Sequence, residues 1–533
     1  MTFLYSGLSV TPDTDRGEVL AEVRTRLARL GALPQGAELS VYRRSVDARK
    51  RRDVRLVFTV AVTGDFSERD ASRLERAGLT RLLEEMPAPA LGHEPLTAPP
   101  VVVGTGPCGL FAALLLAEAG YAPLVLERGG GVEERREAYA RFCRDRVLDP
   151  NTNIQFGAGG AGTFSDGKLV TRVNDPMTAY VLSRFVEFGA PREILTEARP
   201  HVGTDLLLGT VSAMLRRIEE AGGRVLYHTR FLSPVMAGTR AVAALTDRGE
   251  IPCGALVLAI GHSSRDTYRA LLDGGFAVRP KPCSVGVRIE HLAEDVDKAL
   301  YGDFAGHPAL GRAAYNFSAD TDTRGVYTFC MCPGGTVVAA TSEEGGVVVN
   351  GMSEHARDGR NSNAALAVSV FCEDYGNTPL GAIDFQRRIE RAAFAAGGGR
   401  YAAPVTTVGD FLEGKRGTAP SRILPTYMEG EGVTLSSPSD YLPPFVTAAL
   451  ARGILAFDRR LSGFAAHDAV LTGAETRTSA PVRLLRTELR TAEGTDNLYP
   501  AGEGAGYAGG ITSAALDGLR TALAILSRYR PCL

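Results

Sequence analysis

Residues Val101-Val-Val-Gly-Thr-Gly-Pro-Cys-Gly109 constrain this chain more than any other stretch. Three β-branched residues run into Gly104-x-Gly106-x-x-Gly109, and an apolar run with Leu110, Phe111, Leu114, Leu115 and Leu116 follows. After Gly120 a second apolar run, Pro123-Leu-Val-Leu-Glu127, ends in an acid. Strand, glycine turn, helix and strand in that order make a dinucleotide-binding unit. Its first glycine forms the tight turn, the second lets backbone approach a pyrophosphate, and the third lets helix and strand pack closely. The helix N-terminus adds unpaired N–H groups and a partial positive charge for the phosphates. Pro107 and Cys108 lie in the turn, and Glu127 is placed to accept hydrogen bonds from both hydroxyls of an adenosine ribose, with Arg128 beside it. A glycine-rich turn in an unrelated α/β protein is the competing reading.

At 533 residues the chain is too long for one core. A net charge of −2 gives no general reason to expect nucleic acid or an anionic membrane as partner. The eight cysteines show neither disulfide-like spacing nor a C-x-x-C pair, which suits a reducing cytoplasm. Asp13, Asp15 and Arg16 stand where a signal peptide would need apolar residues, and the apolar region 101–126 is broken by glycines, Pro107 and Glu118, so no membrane span is expected.

Residues 1–95 read as a separate α+β module. A strand at 2–9 precedes a helix at 16–30 with Val19, Leu20, Val23, Leu27 and Leu30 on one face; strands near 38–44 and 54–63 and a helix from a Ser67 cap to Ala77 follow. The order β-α-β-β-α resembles a ferredoxin-like fold without a clear last strand. Its basic cluster (Arg43, Arg44, Arg49, Lys50, Arg51, Arg52, Arg55) suits a solvated hairpin better than an RNA or acidic-protein site. The proline-rich stretch 87–99 reads as a linker.

Past a charged helix at 132–146 comes a loop rich in backbone amides and short hydroxyls, with Gly157, Gly159, Gly160, Gly162, Thr163, Ser165, Gly167 and Lys168. Such a loop can wrap a phosphate or the polar edge of a ring system. The apolar run 255–260 ends at Gly261, next to His262. From about 286 short alternating runs suggest antiparallel sheet, with helices near 363–373 and 384–396. Near the C-terminus Gly502-Glu503 opens a second glycine loop, and Gly509-Gly510-Ile511 offers a second helix N-terminus. The domains expected are thus 1–95, 96–285, 286–484 (substrate or cap) and 485–533, the last completing the nucleotide fold.

These residues together resemble FAD-dependent oxidoreductases of the glutathione-reductase-like superfamily, through Gly104/Gly106/Gly109 with Glu127, Ala259-Ile-Gly261, and Gly502-Glu503. More closely the chain resembles an uncharacterised FAD-dependent dehydrogenase family with an extra N-terminal module, through Asn153–Lys168, Gly286–His291, Cys330-Met-Cys-Pro-Gly-Gly335, Asn350–Ser353, Gly399–Pro404 and Gly502–Gly510. The resemblance implies a Rossmann-type FAD-binding domain with an inserted, mostly β substrate domain. It also implies an oxidoreductase passing hydride between FAD and a small molecule. Two departures stand out: Glu503 replaces the usual aspartate, and Cys108 the usual alanine. No second G-x-G-x-x-G, the repeat that holds NAD(P)H in two-domain reductases, is expected after residue 109, so NAD(P)H is expected at most as a transiently docked donor. No metal site is expected.

Candidates for the chemistry are Cys330 and Cys332, the one redox-suggestive pair, and His262, His291, His355 and Tyr507, which adjoin glycine-rich segments. Dithiol exchange and ordinary packed cysteines are both open for the pair. An RNA-modifying flavoenzyme anchored by the basic module, and a non-catalytic FAD-binding electron-transfer or regulatory protein, are the alternatives to a small-molecule enzyme. Oligomeric state is not legible.

Overall fold

The computed structural model describes residues 1–82, 86, 91–171, 173, 175–321 and 324–532. At its centre lies a five-stranded parallel sheet in the order Arg224–Leu226, Leu124–Leu126, Val101–Val103, Leu256–Leu258, Leu498–Pro500. The first three strands are laid down in one direction and the last two on the other side of Val101–Val103. Strand order therefore reverses between Val101–Val103 and Leu256–Leu258, and ligands of open α/β sheets bind at the carboxyl ends of strands beside such a reversal. Gly104 and Gly261 lie just past those two ends.

The helices Pro107–Glu118 and Ile511–Arg528 pack against each other on this sheet. Their approach is backbone to backbone: a Cβ on Gly518 would stand 2.1 Å from the Cys108 carbonyl oxygen. The helix Pro107–Glu118 is apolar nearly all round because it is covered on nearly all sides. Part of the stretch expected as a linker is held down. Glu94–Pro95 pairs in parallel with Tyr529–Arg530, and the Tyr121 hydroxyl donates to Tyr529 O at 2.5 Å. Residues 87–90 of that stretch lie outside the described residues.

The N-terminal residues form a four-stranded antiparallel sheet in the order Glu38–Asp47, Arg55–Thr63, Thr2–Val10, Thr80–Arg81. A last strand is present, two residues long. The helix Arg16–Arg29 starts at a capping box: Glu18 N–H donates to Asp15 at 2.8 Å and Asp15 N–H to Glu18 at 3.0 Å. Arg44 N–H donates to Thr196 O at 2.6 Å and Ala198 N–H to Arg44 O at 2.8 Å, so the edge strand continues onto the segment 196–198.

A seven-stranded sheet carries the order Ser318–Asp320, Gly325–Cys332, Asn361–Val370, Cys283–Leu292, Val470–Glu475, Ala403–Thr407, Val433–Leu435. It is antiparallel except at the Ala403–Thr407/Val433–Leu435 edge. One expectation is corrected here. Residues 363–373 are not a helix; Asn361–Val370 is a strand near the middle of this sheet. Its alanines suggest helix, but nearly every residue is buried with strands on both sides, and such a strand shows neither alternation nor helical period. The expected helix at 384–396 is Gly381–Ala396, and Pro444–Asp458 is a further helix packed on the sheet.

Candidate functional site

Three glycine loops meet at the reversal point. Gly104 has φ +100°, and a Cβ there would lie 2.4 Å from Ala259 O; one on Gly109 would lie 1.9 Å from Gly104 O. Only glycine closes this turn. Gly502 (φ +71°) sits on the Cys108 side chain, with a hypothetical Cβ 2.7 Å away, and Gly504 packs on Gly261. Gly160 lies over Gly106, while Gly162 stands between Ile511 and Pro107, with 3.1 and 3.6 Å from its hypothetical Cβ to their side chains. The spacing G-x-G-x-x-G itself recurs at Gly157/Gly159/Gly162 and Gly504/Gly506/Gly509. The expectation of no later G-x-G-x-x-G is thus wrong as to spacing; the first recurrence folds onto Gly106 and Pro107, and the second packs on Gly261, Val482 and Arg483.

Neither Gly106 nor Gly510, the N-cap residues of the two packed helices, supplies a side-chain cap. The first-turn N–H groups of two helices are thus left for another acceptor. A Cβ on Gly261, Gly509 or Gly510 would meet no protein atom within 4 Å. Buried Thr163 Oγ1 has no hydrogen-bond partner. Bare backbone, two uncapped termini and an orphaned hydroxyl fit an anionic dinucleotide.

Glu127, 4 % exposed, does more than the sequence suggests. One carboxylate oxygen accepts from Gly129 N–H and Gly157 N–H, both at 3.0 Å; the other accepts from Thr105 N–H at 3.2 Å and from the Thr105 hydroxyl. It ties the first turn, its own strand end and the 157–163 loop together, and a ribose would replace some of these donors. Arg128 pairs with Asp266 and stacks its guanidinium 4.3 Å from the Phe156 ring centre. Ser165 and Lys168 are also engaged by protein. The Ser165 hydroxyl donates to Gly162 O at 2.6 Å, and Lys168 pairs with Asp166 at 2.8 Å and donates to Met331 O.

Two positioning residues were missed. Fully buried Arg135 donates to the carbonyls of Asn153 and Ala158, both at 2.7 Å, and of Ile154, clamping the glycine loop from the helix Val132–Asp145. Asp517 accepts from Gly502 N–H at 2.7 Å, from both terminal nitrogens of Arg486 at 2.9 Å, and from Arg490. These contacts hold its carboxyl down to about 2 against the upward pull of burial. Each is an ordinary charged residue in a helix and carries no local signal.

The second half of the site comes from the seven-stranded sheet. The pairing of Gly325–Cys332 with Asn361–Val370 slips between Phe329 and Cys332, and Cys330 in that bulge has φ +45°. Arg288, fully buried, donates to Cys330 O at 2.5 Å, to Asn350 at 2.7 Å and to Asn363 at 2.8 Å, and meets Glu475 at 3.1 Å. Cys332 Sγ donates to Cys330 O at 3.3 Å and lies 4.0 Å from Arg288. A hydrogen bond from Cys332 lowers the Cys330 thiol, and Lys168 and Arg288 lower it further; the same hydrogen bond, then burial, raises Cys332. Burial lifts the half-buried Glu503 to about 7 while Lys281 pulls it back, and Cys330 is close enough to raise it. Burial also raises Glu475, against Arg288. Cys330, Glu475, Glu503 and Lys281 thus share one neighbourhood beside the late glycine loop. Arg288, Glu475 and Lys281 were not foreseen.

Of the other candidates, His262 adjoins the reversal point. Its Nδ1 is 3.0 Å from Ser263 Oγ, which donates to Gln155 at 3.2 Å; burial, then Arg477, Arg265 and Lys281, push the imidazole down to about 3, so it is neutral. Tyr507 lies on the late glycine loop with Arg486 stacked 3.7 Å from its ring centre. His291 and His355 are not brought to the loops. His291 is buried with Nε2 2.9 Å from Phe464 O, and His355 bridges Val202 O and Glu193, both at 3.1 Å.

The parallel sheet with glycine turns at its order reversal places the chain among open α/β proteins. A 497-residue alignment pairs this chain with a protein of Clostridium beijerinckii titled "Uncharacterized protein", 44% identical over 92% of this chain and 93% of the other. The chain belongs to the family of that protein. Residues 282–478 match the family described as "FAD-dependent protein, C-terminal domain-like", which takes in all seven strands of the larger sheet. Solved structures with a distant likeness include NikD, an unusual amino acid oxidase, at 15% identity, covering 80% of this chain and 93% of that one with a TM-score of 0.32. L-proline dehydrogenase from P. horikoshii stands at 11%, with 81% and 93% covered and a TM-score of 0.33. Among the described residues, no helix is long and apolar enough to cross a membrane.

Proposed function

We propose that this protein is a FAD-dependent oxidoreductase that exchanges a hydride with a small molecule. The observation that carries the reading is the meeting of Gly104–Gly109, Gly157–Gly162 and Gly502–Gly510 at two helix N-termini without side-chain caps. The matched family description points the same way. In this reading Gly106, Cys108 and Gly109 face the pyrophosphate with backbone N–H groups, and Glu127 takes the adenosine ribose after releasing part of its present set. The end Gly509-Gly510-Ile511 turns its positive pole toward the flavin ring. Bound there, FAD supplies two-electron hydride exchange. The sheet around Cys283–Leu292 presents the substrate side, where Glu503 holds a proton near neutral pH, Glu475 pairs with Arg288 and His262 stays neutral.

The division into 1–95, 96–285, 286–484 and 485–533, a ferredoxin-like reading of the first unit, NAD(P)H as a transient donor and a cytoplasmic setting belong to the same proposal. An RNA substrate is disfavoured by the pairing of the basic module: Arg44 meets Glu197 at 2.9 Å, Arg49 meets Asp47 at 2.5 Å, and Arg55 meets Asp53 at 2.6 Å. The absorption spectrum of the purified protein, followed under anaerobic titration with NADH and then NADPH, tests the proposal. A yellow protein bleached by one of them is expected. A colourless protein that refuses FAD on reconstitution overturns it.

A further inference from the structure

We propose that Cys330 and Cys332 form a thiol–disulfide exchange pair for low-molecular-weight disulfides, with Cys330 attacking and Cys332 resolving. The inference rests on the preceding one only for the reductant that resets the pair. Four observations carry it. The β-bulge re-aims Cys330 out of the ladder, in a backbone region that a side-chain-bearing residue rarely occupies. Cys332 is fully buried behind it, within hydrogen-bond reach of the Cys330 carbonyl. Two cations flank the pair, because Arg288 holds Cys330 O and Lys168 holds Met331 O. Finally, Cys330 is half-buried, whereas Cys332 is sealed in the core.

The titratable and charged groups that act electrostatically on Cys330 are Cys332, Lys168, Arg288, Asp166, Glu475 and Glu503. Asp166 is neutralised by Lys168 at 2.8 Å and by Arg357, and Glu475 by Arg288, so the surroundings favour a thiolate. The Cys330 thiolate attacks one sulfur of R–S–S–R; the Cys330–SR bond forms, the substrate S–S bond breaks, and RS⁻ leaves with a proton from the Glu503 carboxyl. Cys332 then attacks the Cys330 sulfur, its proton passing to the second RS⁻ as that leaves. This closes the Cys330–Cys332 disulfide. The substrate gains two electrons and the pair loses two. Resetting the pair takes two electrons and two protons from a reductant of the reduced-flavin class.

The test uses the full-length protein as purified, incubated anaerobically with 2-hydroxyethyl disulfide at pH 6 and analysed by peptide mass mapping. In Cys332→Ser a stable mercaptoethanol adduct on Cys330 is expected. It should form roughly tenfold faster than on an ordinary thiol, after the gain in thiolate fraction is offset by the lower nucleophilicity of a low-pKa thiolate. In the wild type the adduct should be transient and end as a Cys330–Cys332 disulfide with two thiols lost, a readout that does not depend on the variant folding. Adducts on Cys143, Cys372 or Cys532 with none on Cys330, or a wild-type adduct that never resolves, overturn the proposal. The spectrum of the same sample separates the two readings: exchange without bound flavin leaves the thiol pair standing and removes the flavoenzyme, and flavin without exchange does the reverse.

Discussion

Replacing Asp517 with Asn should weaken the anchorage of the late glycine turn by stripping the charge partner from Arg486 and Arg490. In the native protein this carboxylate, 6 % exposed, accepts the Gly502 N–H and neutralises Arg486 and Arg490 together. Asparagine keeps one acceptor for Gly502 but leaves two largely buried guanidinium groups without a counter-charge. Breaking a buried pair by removing one partner costs about 3–5 kcal/mol. For a cooperative unit of 150–250 residues this lowers the melting temperature by roughly 6–20 °C. The chain has no tryptophan, so circular dichroism is the suitable probe. The pH dependence gives a second signature. With its carboxyl lowered from 3.8 to about 2, Asp517 contributes stability that is fully present above the ordinary value and lost as pH falls toward 2. That contribution is about 2 kcal/mol. The melting curve of the variant should therefore be flatter than that of the wild type between these pH values. A loss under about 1 kcal/mol, or an unchanged acid slope, would refute the assigned role.

Gly109→Ala places a Cβ 1.9 Å from Gly104 O, where backbone must move; a loss at or above the usual 1–3 kcal/mol of overpacking is expected, with a fall in FAD retained on purification. Glu390→Gln leaves Arg265 and Arg477, which it meets at 2.7 and 3.1 Å, under-neutralised in the interior, and should cost about 3–5 kcal/mol by thermal melting. Glu503 is raised from 4.5 to about 7, so the folded state holds its proton more tightly; that stability is complete below the ordinary value and lost as pH rises through 7. Glu503→Gln should flatten the melting temperature between pH 5 and 8, and an identical slope in variant and wild type would remove Glu503 from the account.

What was legible in the sequence is what backbone geometry dictates locally. The turn Gly104–Gly109 can be read because Gly104 and Gly109 each answer a contact that a Cβ would block, and the same holds for Gly502 and Gly160. The capping residue Ser67 announces its helix in the same way. Arg288 and Glu475 lie 187 positions apart and meet only because their strands are neighbours; neither residue has a local pattern to show it. Glu127 was read by position rather than by its bonds, so its hold on Gly157 was not foreseen. The histidines were chosen for adjacency to glycine, and adjacency in sequence left His291 and His355 on other walls. The strand Asn361–Val370 was misread because full burial erases the period on which the distinction depends.

Where the seven-stranded sheet meets the parallel one, a buried charge network lies beside an apolar cluster that includes Leu380 and Ile383. Arg265 opens the helix that follows Leu256–Leu258, Glu390 lies in Gly381–Ala396, and Arg477 comes just after Val470–Glu475. Glu390 accepts from both arginines and from Thr476, Gln386 accepts from Arg265 at 2.9 Å, and Glu343 bridges Arg265 and Arg387. Apolar surfaces tolerate sliding, whereas a network with so many donors matched is satisfied in few arrangements. Specifying an angle and stabilising a fold are separable effects, since apolar replacement of a buried ion triad is often neutral or stabilising. The triple variant Arg265→Met, Glu390→Leu, Arg477→Leu leaves Glu343 with Arg387 at 2.9 Å and should melt within a few degrees of the wild type or above it. Its FAD affinity and Cys330 reactivity should fall as the two halves of the site lose their register. If the triple variant instead melts as low as Glu390→Gln alone, the network is a stabiliser and the angle is set elsewhere.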